Sequence, residues 1–196
     1  SGLATHYLSK PNSKKAVVIG NGAQAKTQIE AIQSVRNLEE VLVIGRDPDK
    51  VQSFCEQFET KVAPGQIDDL KKADIICTAT TSSDPLFDFA NISKGTHINA
   101  VGAHGQTKRE LPTELIQSAK VYVDSLSSSQ VEAGNLLIPI ERGEYEWSLV
   151  EGEIGSFIES NTKISDHESN ITVFSSVGSA VQDLVIAVMV MESGKE

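Results

Sequence analysis

Ala16-Val17-Val18-Ile19-Gly20-Asn21-Gly22-Ala23-Gln24-Ala25 passes from a short apolar run, through two glycines, into a helical repeat. The run has the length and β-branched character of a buried strand. The repeat that follows puts Ala25, Ile29, Ile32 and Val35 on one stripe at helical spacing. Each small residue between them has a task. Gly20 permits a tight strand-to-helix turn. Gly22 lets backbone approach a ligand with no Cβ in the way, and Ala25 lets the helix lie close to the strand. Free N–H groups and the positive end of the helix dipole then point at one spot, which suits a diphosphate. The segment predicts a dinucleotide site for NAD or NADP, carried by Gly20, Asn21, Gly22, Ala23 and Gln24.

Working outward, the same alternation of apolar run and helix-length segment recurs. Runs stand at Val41–Ile44, weakly around Lys61–Ala63, and at Asp74–Ala79, His97–Val101, Val121–Asp124 and Ile171–Phe174. Between them, Asp47-Pro48 opens a helix whose apolar face is Val51, Phe54, Cys55 and Phe58. Pro112 opens another with Leu115, Ile116 and Ala119 inward. Strands alternating with helices predict an α/β fold, a doubly wound, mostly parallel sheet with helices on both faces, of Rossmann type. Ser125 to Asn170 is the least regular stretch and is expected to cap one end of the sheet. Val181 to Met191, interrupted by Gln182 and Asp183, reads as a buried helix.

Composition narrows the functions. With 196 residues, 39% hydrophobic and 22% charged, the chain is long enough for one globular core. A net charge of −10 argues against a nucleic-acid backbone as partner. No apolar run approaches the roughly 20 residues that cross a bilayer, and the start lacks the pattern of a signal peptide. An acidic chain of this kind is ordinary for a cytoplasmic enzyme. Cys55 and Cys77 read as two reduced thiols, and no Cys/His spacing suggests a metal. The chain starts without methionine, and Leu3, Ala4, Tyr7 and Leu8 follow a helical repeat. It is therefore expected to be a piece of a longer protein. Residues 1–12 would be the end of a helix leading in, 13–180 the dinucleotide-binding domain and 181–196 a C-terminal helix.

In such a sheet the ligand crosses the carboxyl ends of the strands. The second strand ends Gly45-Arg46-Asp47, with no side chain where an acid would hold the adenosine ribose of NAD. Arg46 is suited to stack on adenine or to pair with a 2′-phosphate, and the latter tilts the choice towards NADP. Asp47 would repel that phosphate unless it turns away to cap the next helix, and capping is the preferred reading. Ala79, Thr80 and Ser82 are small or hydroxylated and suit the ribose side. Val101-Gly102 leaves room for a flat ring such as nicotinamide. His104 is the one histidine placed for proton transfer; as plain alternatives, it is a solvent-exposed loop residue and His97 is strand filler. Asp124 is expected to bond loop amides.

Taken together, these motifs resemble the ornithine cyclodeaminase/mu-crystallin family. The resemblance rests on Ile19–Ala25 with its Gln24-Ala25 pair, Ala73–Thr80, Gly95–Gly102, Arg109-Glu110-Leu111 and Thr172–Asp183. It implies a two-domain, homodimeric parent in which an N-terminal domain, absent here, supplies the basic residues for a substrate carboxylate. It also implies hydride exchange at a carbon bearing nitrogen, and Ser176 as a further residue of the cofactor site. The implied substrate is a small amino acid or cyclic imine. The chain alone would bind cofactor and catalyse poorly. Where cyclodeaminases carry an aspartate after the Val-Gly of the fifth strand, this sequence has His104. That departure favours an imine reductase or amino-acid dehydrogenase over an ornithine cyclodeaminase, with a non-catalytic NAD(P)H-binding protein as a third alternative.

Overall fold

The computed structural model describes residues 1–59, 61–160 and 166–193. Strands β1 (Lys15–Ile19), β2 (Glu40–Ile44), β3 (Val62–Pro64), β4 (Ile75–Thr78), β5 (His97–Ala100), β6 (Lys120–Val123), β7 (Val150–Glu153) and β8 (Thr172–Ser175) form one sheet. Its order is β3-β2-β1-β4-β5-β8-β6-β7, and every pairing is parallel. The helices are α1 (Gly2–Leu8), α2 (Ala23–Val35), α3 (Pro48–Cys55), α4 (Thr113–Ser118), α5 (Leu126–Glu132), α6 (Gly134–Glu141), α7 (Ile154–Glu159) and α8 (Ala180–Ser193).

Each of the seven expected strands is present, and the sheet is wholly rather than mostly parallel. Because neighbouring strands run parallel, both faces are covered, and strand residues alternate between two cores. Val17, Ile19, Ile76 and Ile98 face one core together with Leu115 and Leu136. Ala16, Val18, Ile75 and Cys77 face the other, under Ala25, Ile29 and Ile32 of α2 and Val51 and Phe54 of α3. The chain winds one way from β1 to β3 and then returns to place β4 on the other side of β1. That reversal opens the crevice at the carboxyl ends of β1 and β4.

Further along the second face, α1 and α7 cover Tyr122 and Phe174 through Ala4, Leu8 and Ile154. A buried polar seam separates this patch from the core under α2. His97 and Asn99 of β5 and Thr172 of β8 all lie within it. His97 Nδ1 is 2.9 Å from Thr172 Oγ1 and its Nε2 is 3.2 Å from Asn99 Oδ1, while Asn99 Nδ2 donates to Thr5 Oγ1 at 2.9 Å. Arg36, the C-cap residue of α2, donates to the carbonyls of Thr5, His6, Ser9 and Lys10 and so closes the C-terminal end of α1. His97 is therefore more than filler: it joins two strands and, through Asn99, α1.

Two expectations fail. Ser125 to Asn170 is not an irregular cap, because its described residues include α5, α6, α7 and β7, the outermost strand. Residues 161–165 of that stretch lie outside the described residues. β7 lacked a strand signal because it is an edge strand, reading Val150-Glu151-Gly152-Glu153 with no buried position. Charged, short edges of this kind resist pairing with other chains. Nor is α8 buried. Val181, Leu184, Ile186 and Val190 are each 60–67% exposed. Its sequence is apolar on every side, which in a folded core means burial, yet no described element lies over those side chains. Positions 194–196 of the expected helix lie outside the described residues. No described helix is long and apolar enough to cross a membrane.

Candidate functional site

The crevice is a cleft of about 510 Å³ bordered by Gly20, Asn21, Gly22, Arg46, Ala79, Thr80 and Ser82. Gly20 adopts φ +119°, open to glycine alone at low cost, and a Cβ there would run into the Ala79 carbonyl. Its N–H donates to Ile44 O at 2.8 Å, tying the end of β1 to the end of β2. Gly22 is different. It is the N-cap of α2, and a Cβ on it would meet nothing within 4 Å. The space before the helix N-terminus is thus open, as a phosphate cradle requires. Ala25 is fully buried against β1 and β4 residues. Ala23 and Gln24 sit exposed in the first turn of α2 and do not border the cleft.

At the end of β2, a Cβ on Gly45 would stand 2.7 Å from Val51 Cγ2 and 3.2 Å from Asn21 Oδ1. An acid at this position has no room. Asp47 is turned to its helix: its side chain accepts from Lys50 N at 3.2 Å and pairs with Lys50 Nζ at 3.5 Å. These bonds to Lys50 hold its carboxyl below the usual range. Arg46 is exposed on the cleft wall.

Thr80 and Ser82 border the cleft, but their hydroxyls already have partners. Thr80 Oγ1 donates to Glu110 Oε1 at 2.8 Å, and Ser82 Oγ donates to Asp84 O at 2.8 Å. Gly102 is half-buried beyond β5, and a Cβ there would collide with the Thr80 backbone and with Glu110 Oε1. The absent Cβ is filled by protein, so this glycine serves the contact of two strand ends; the expected gap for a flat ring is not what it provides. Val101 N donates to Thr78 O at 3.0 Å in the same contact.

Ser176 follows β8, and its N–H donates to Ala100 O at 3.0 Å, which sets it beside the end of β5. Its hydroxyl donates to Asp124 Oδ2, which also accepts from Val177 N and Gly178 N. Asp124 thus bonds loop amides, as expected. His104 lies exposed between buried Ala103 and Gly105, away from the 510 Å³ cleft. The loop carrying it is anchored by Gly105 N donating to Glu132 O.

One residue at the centre of this arrangement had no assigned role. Glu110 is wholly buried, and its carboxylate accepts from Thr78 Oγ1, Thr80 N, Thr80 Oγ1 and Gly102 N at 2.7–3.0 Å. Asn135 Oδ1 in turn accepts from the N–H groups of Glu110 and Leu111. The signal available in the sequence was the hydroxyl pair Thr78-x-Thr80, whose donors need an acceptor. The thiols play no such part: both cysteines are free and buried, and burial pushes Cys77 up to about 11. Among the described residues no His, Cys, Asp or Glu cluster could hold a metal.

A profile of the ornithine cyclodeaminase/mu-crystallin family matches residues 1–196. The chain belongs to this family. Within it, a Delta(1)-pyrroline-2-carboxylate reductase of Bacillus cereus is 36% identical over 203 residues, covering 100% of this chain and 62% of that protein. The solved Delta(1)-pyrroline-2-carboxylate reductase of Thermococcus litoralis, in complex with NADH and L-proline, superposes with TM-score 0.92 at 34% identity. It covers 97% of this chain and 61% of that one. An archaeal alanine dehydrogenase dimer with bound NAD gives TM-score 0.91 at 31% identity, over 97% of this chain and 60% of the other. The chain therefore spans about three fifths of the length of these family members.

Proposed function

We propose that the full-length protein is an NAD(P)-dependent oxidoreductase of the imine-reductase or amino-acid-dehydrogenase kind, to which residues 13–180 contribute the cofactor-binding domain. The observation that carries this is the cleft at the β1–β4 crevice. Its glycine loop leaves open space before the α2 N-terminus, in a chain whose relatives are reductases and dehydrogenases holding NADH or NAD. When bound, the cofactor would supply a hydride to, or take one from, a carbon bearing nitrogen. Gly20 to Gln24 and the first-turn N–H groups of α2 would bind its diphosphate. Thr80 and Ser82 would border the ribose, and Val101 and Ser176 the nicotinamide end, with Gly102 holding the β4 and β5 ends together. His104, in the loop after β5, would hold or release a proton.

Between the two cofactors we favour NADP. The solved relatives hold NADH and NAD, but Gly45 excludes an acid by packing, Asp47 is occupied by Lys50, and Arg46 faces the cleft. The check is a comparison of NADPH and NADH affinity. Wild type is expected to bind NADPH more tightly, and Arg46→Ala to lose about tenfold or more for NADPH with little change for NADH. Clearly tighter NADH binding by wild type would reject the role of Arg46.

A histidine at position 104 cannot offer a permanent negative charge to a substrate ammonium, which disfavours ornithine cyclisation. The favoured substrate is a small amino acid or cyclic imine, and a cytoplasmic homodimer is the assembly we propose. The dimeric alanine dehydrogenase relative supports the dimer.

A further inference from the structure

Glu110 is a buried acid whose partners are all neutral donors; none of the ion pairs among the described residues involves it. A carboxylate offers about four acceptor positions, and four donors fill them. Those donors come from two separate strand ends. Thr78 closes β4 and Thr80 follows it on the cleft wall, while Gly102 follows β5. The main chain of Glu110 extends the tie. Its carbonyl accepts from Leu86 N at 2.9 Å, and Leu86 also borders the cleft. Its N–H is held by Asn135 at the start of α6. On the opposite side, Gly20 lies against the Ala79 carbonyl. The ends of β1, β4 and β5 are thus locked in line, and Glu110 is the pin between the second and the third.

We propose that Glu110 is a positioning residue for the dinucleotide site: its carboxylate sets the separation of the β4 and β5 ends along which the cofactor would lie. The inference rests on the cofactor-binding reading given above and assigns a residue to it. Glutamine is the sharpest probe. It keeps the shape, but its amide NH2 replaces one carboxylate oxygen and faces the backbone N–H of Thr80 or of Gly102, which loses its acceptor, while the threonine hydroxyl on that side can turn to accept. Two N–H groups facing one another push the strand ends apart.

The experiment measures NADPH and NADH affinity by nucleotide fluorescence, and thermal midpoints without nucleotide, in the full-length protein. Three proteins are compared: wild type, Glu110→Gln, and Leu115→Ala. Leu115 is fully buried in the core beneath this face but borders no part of the cleft, so its truncation reports lost stability alone. Glu110→Gln is expected to weaken nucleotide binding about tenfold or more. Leu115→Ala should bind as wild type despite a lowered midpoint. If Glu110→Gln binds as tightly as wild type, or no worse than Leu115→Ala at an equal midpoint, the positioning role is overturned while cofactor binding stands. If wild type binds neither nucleotide, the underlying reading fails and this inference with it. Should Glu110→Gln not fold, Thr78→Val decides, because it removes one donor from Oε2 at nearly constant volume. Affinity reduced about threefold or more supports the role, and unchanged affinity overturns it.

Discussion

At the residue scale, the two loop glycines do different work, and their substitutions separate fold from function. Gly20 combines φ +119° with backbone where a Cβ would sit. Gly20→Ala is predicted to cost ~1–3 kcal/mol of stability, read by denaturant unfolding, along with cofactor affinity. Gly22 has open space and ordinary φ. Gly22→Ala should cost below about 1 kcal/mol as an N-cap, yet weaken cofactor binding because its methyl enters the phosphate space. Equal effects of the two on stability would contradict this division. The tasks of Gly20, Gly22 and Ala25 were legible because their spacing after a strand has one steric meaning. The role of Glu110 was not, since an acid reads as surface until the ends of two strands bring donors to it, one of them some 30 residues away.

At the element scale, β5 carries both an apolar face and, in His97 and Asn99, two of the seam residues, with Thr172 opposite on β8. Burial drives His97 down to about 3 from its usual 6.5, so it is neutral in the folded protein. The unfolded chain binds a proton there below pH 6.5 and the folded chain does not. The contribution of neutral His97 is therefore complete above about pH 6.5 and is lost as pH falls towards 3. Denaturant titrations across this window should show an acid limb steeper by up to about 1.4 kcal/mol per pH unit in wild type than in His97→Gln. Identical slopes would count against the assignment. The sequence marked β5 by its apolar residues; the seam was hidden because its partners lie on α1 and β8, 94 and 75 residues away. β7 was missed for the opposite reason, having no buried residue to reveal it.

At the scale of the whole molecule, strand alternation alone led to the parallel sheet and its crevice, because two-sided burial writes near-continuous apolar runs. What periodicity could not supply is context. α8 reads as a core helix and stands exposed among the described residues, while His104 lies in an anchored surface loop whose chemistry depends on what faces it. The most direct measurement of the proposed function is NADPH oxidation by the full-length protein on addition of cyclic imine carboxylates and of keto acids with ammonia, read against its Gly22→Ala variant. Turnover of at least one such substrate with NADPH, weakened in the variant, is the predicted result. Tight nucleotide binding without turnover across the panel of cyclic imines and keto acids with ammonia would contradict the proposal and leave a binding protein in its place.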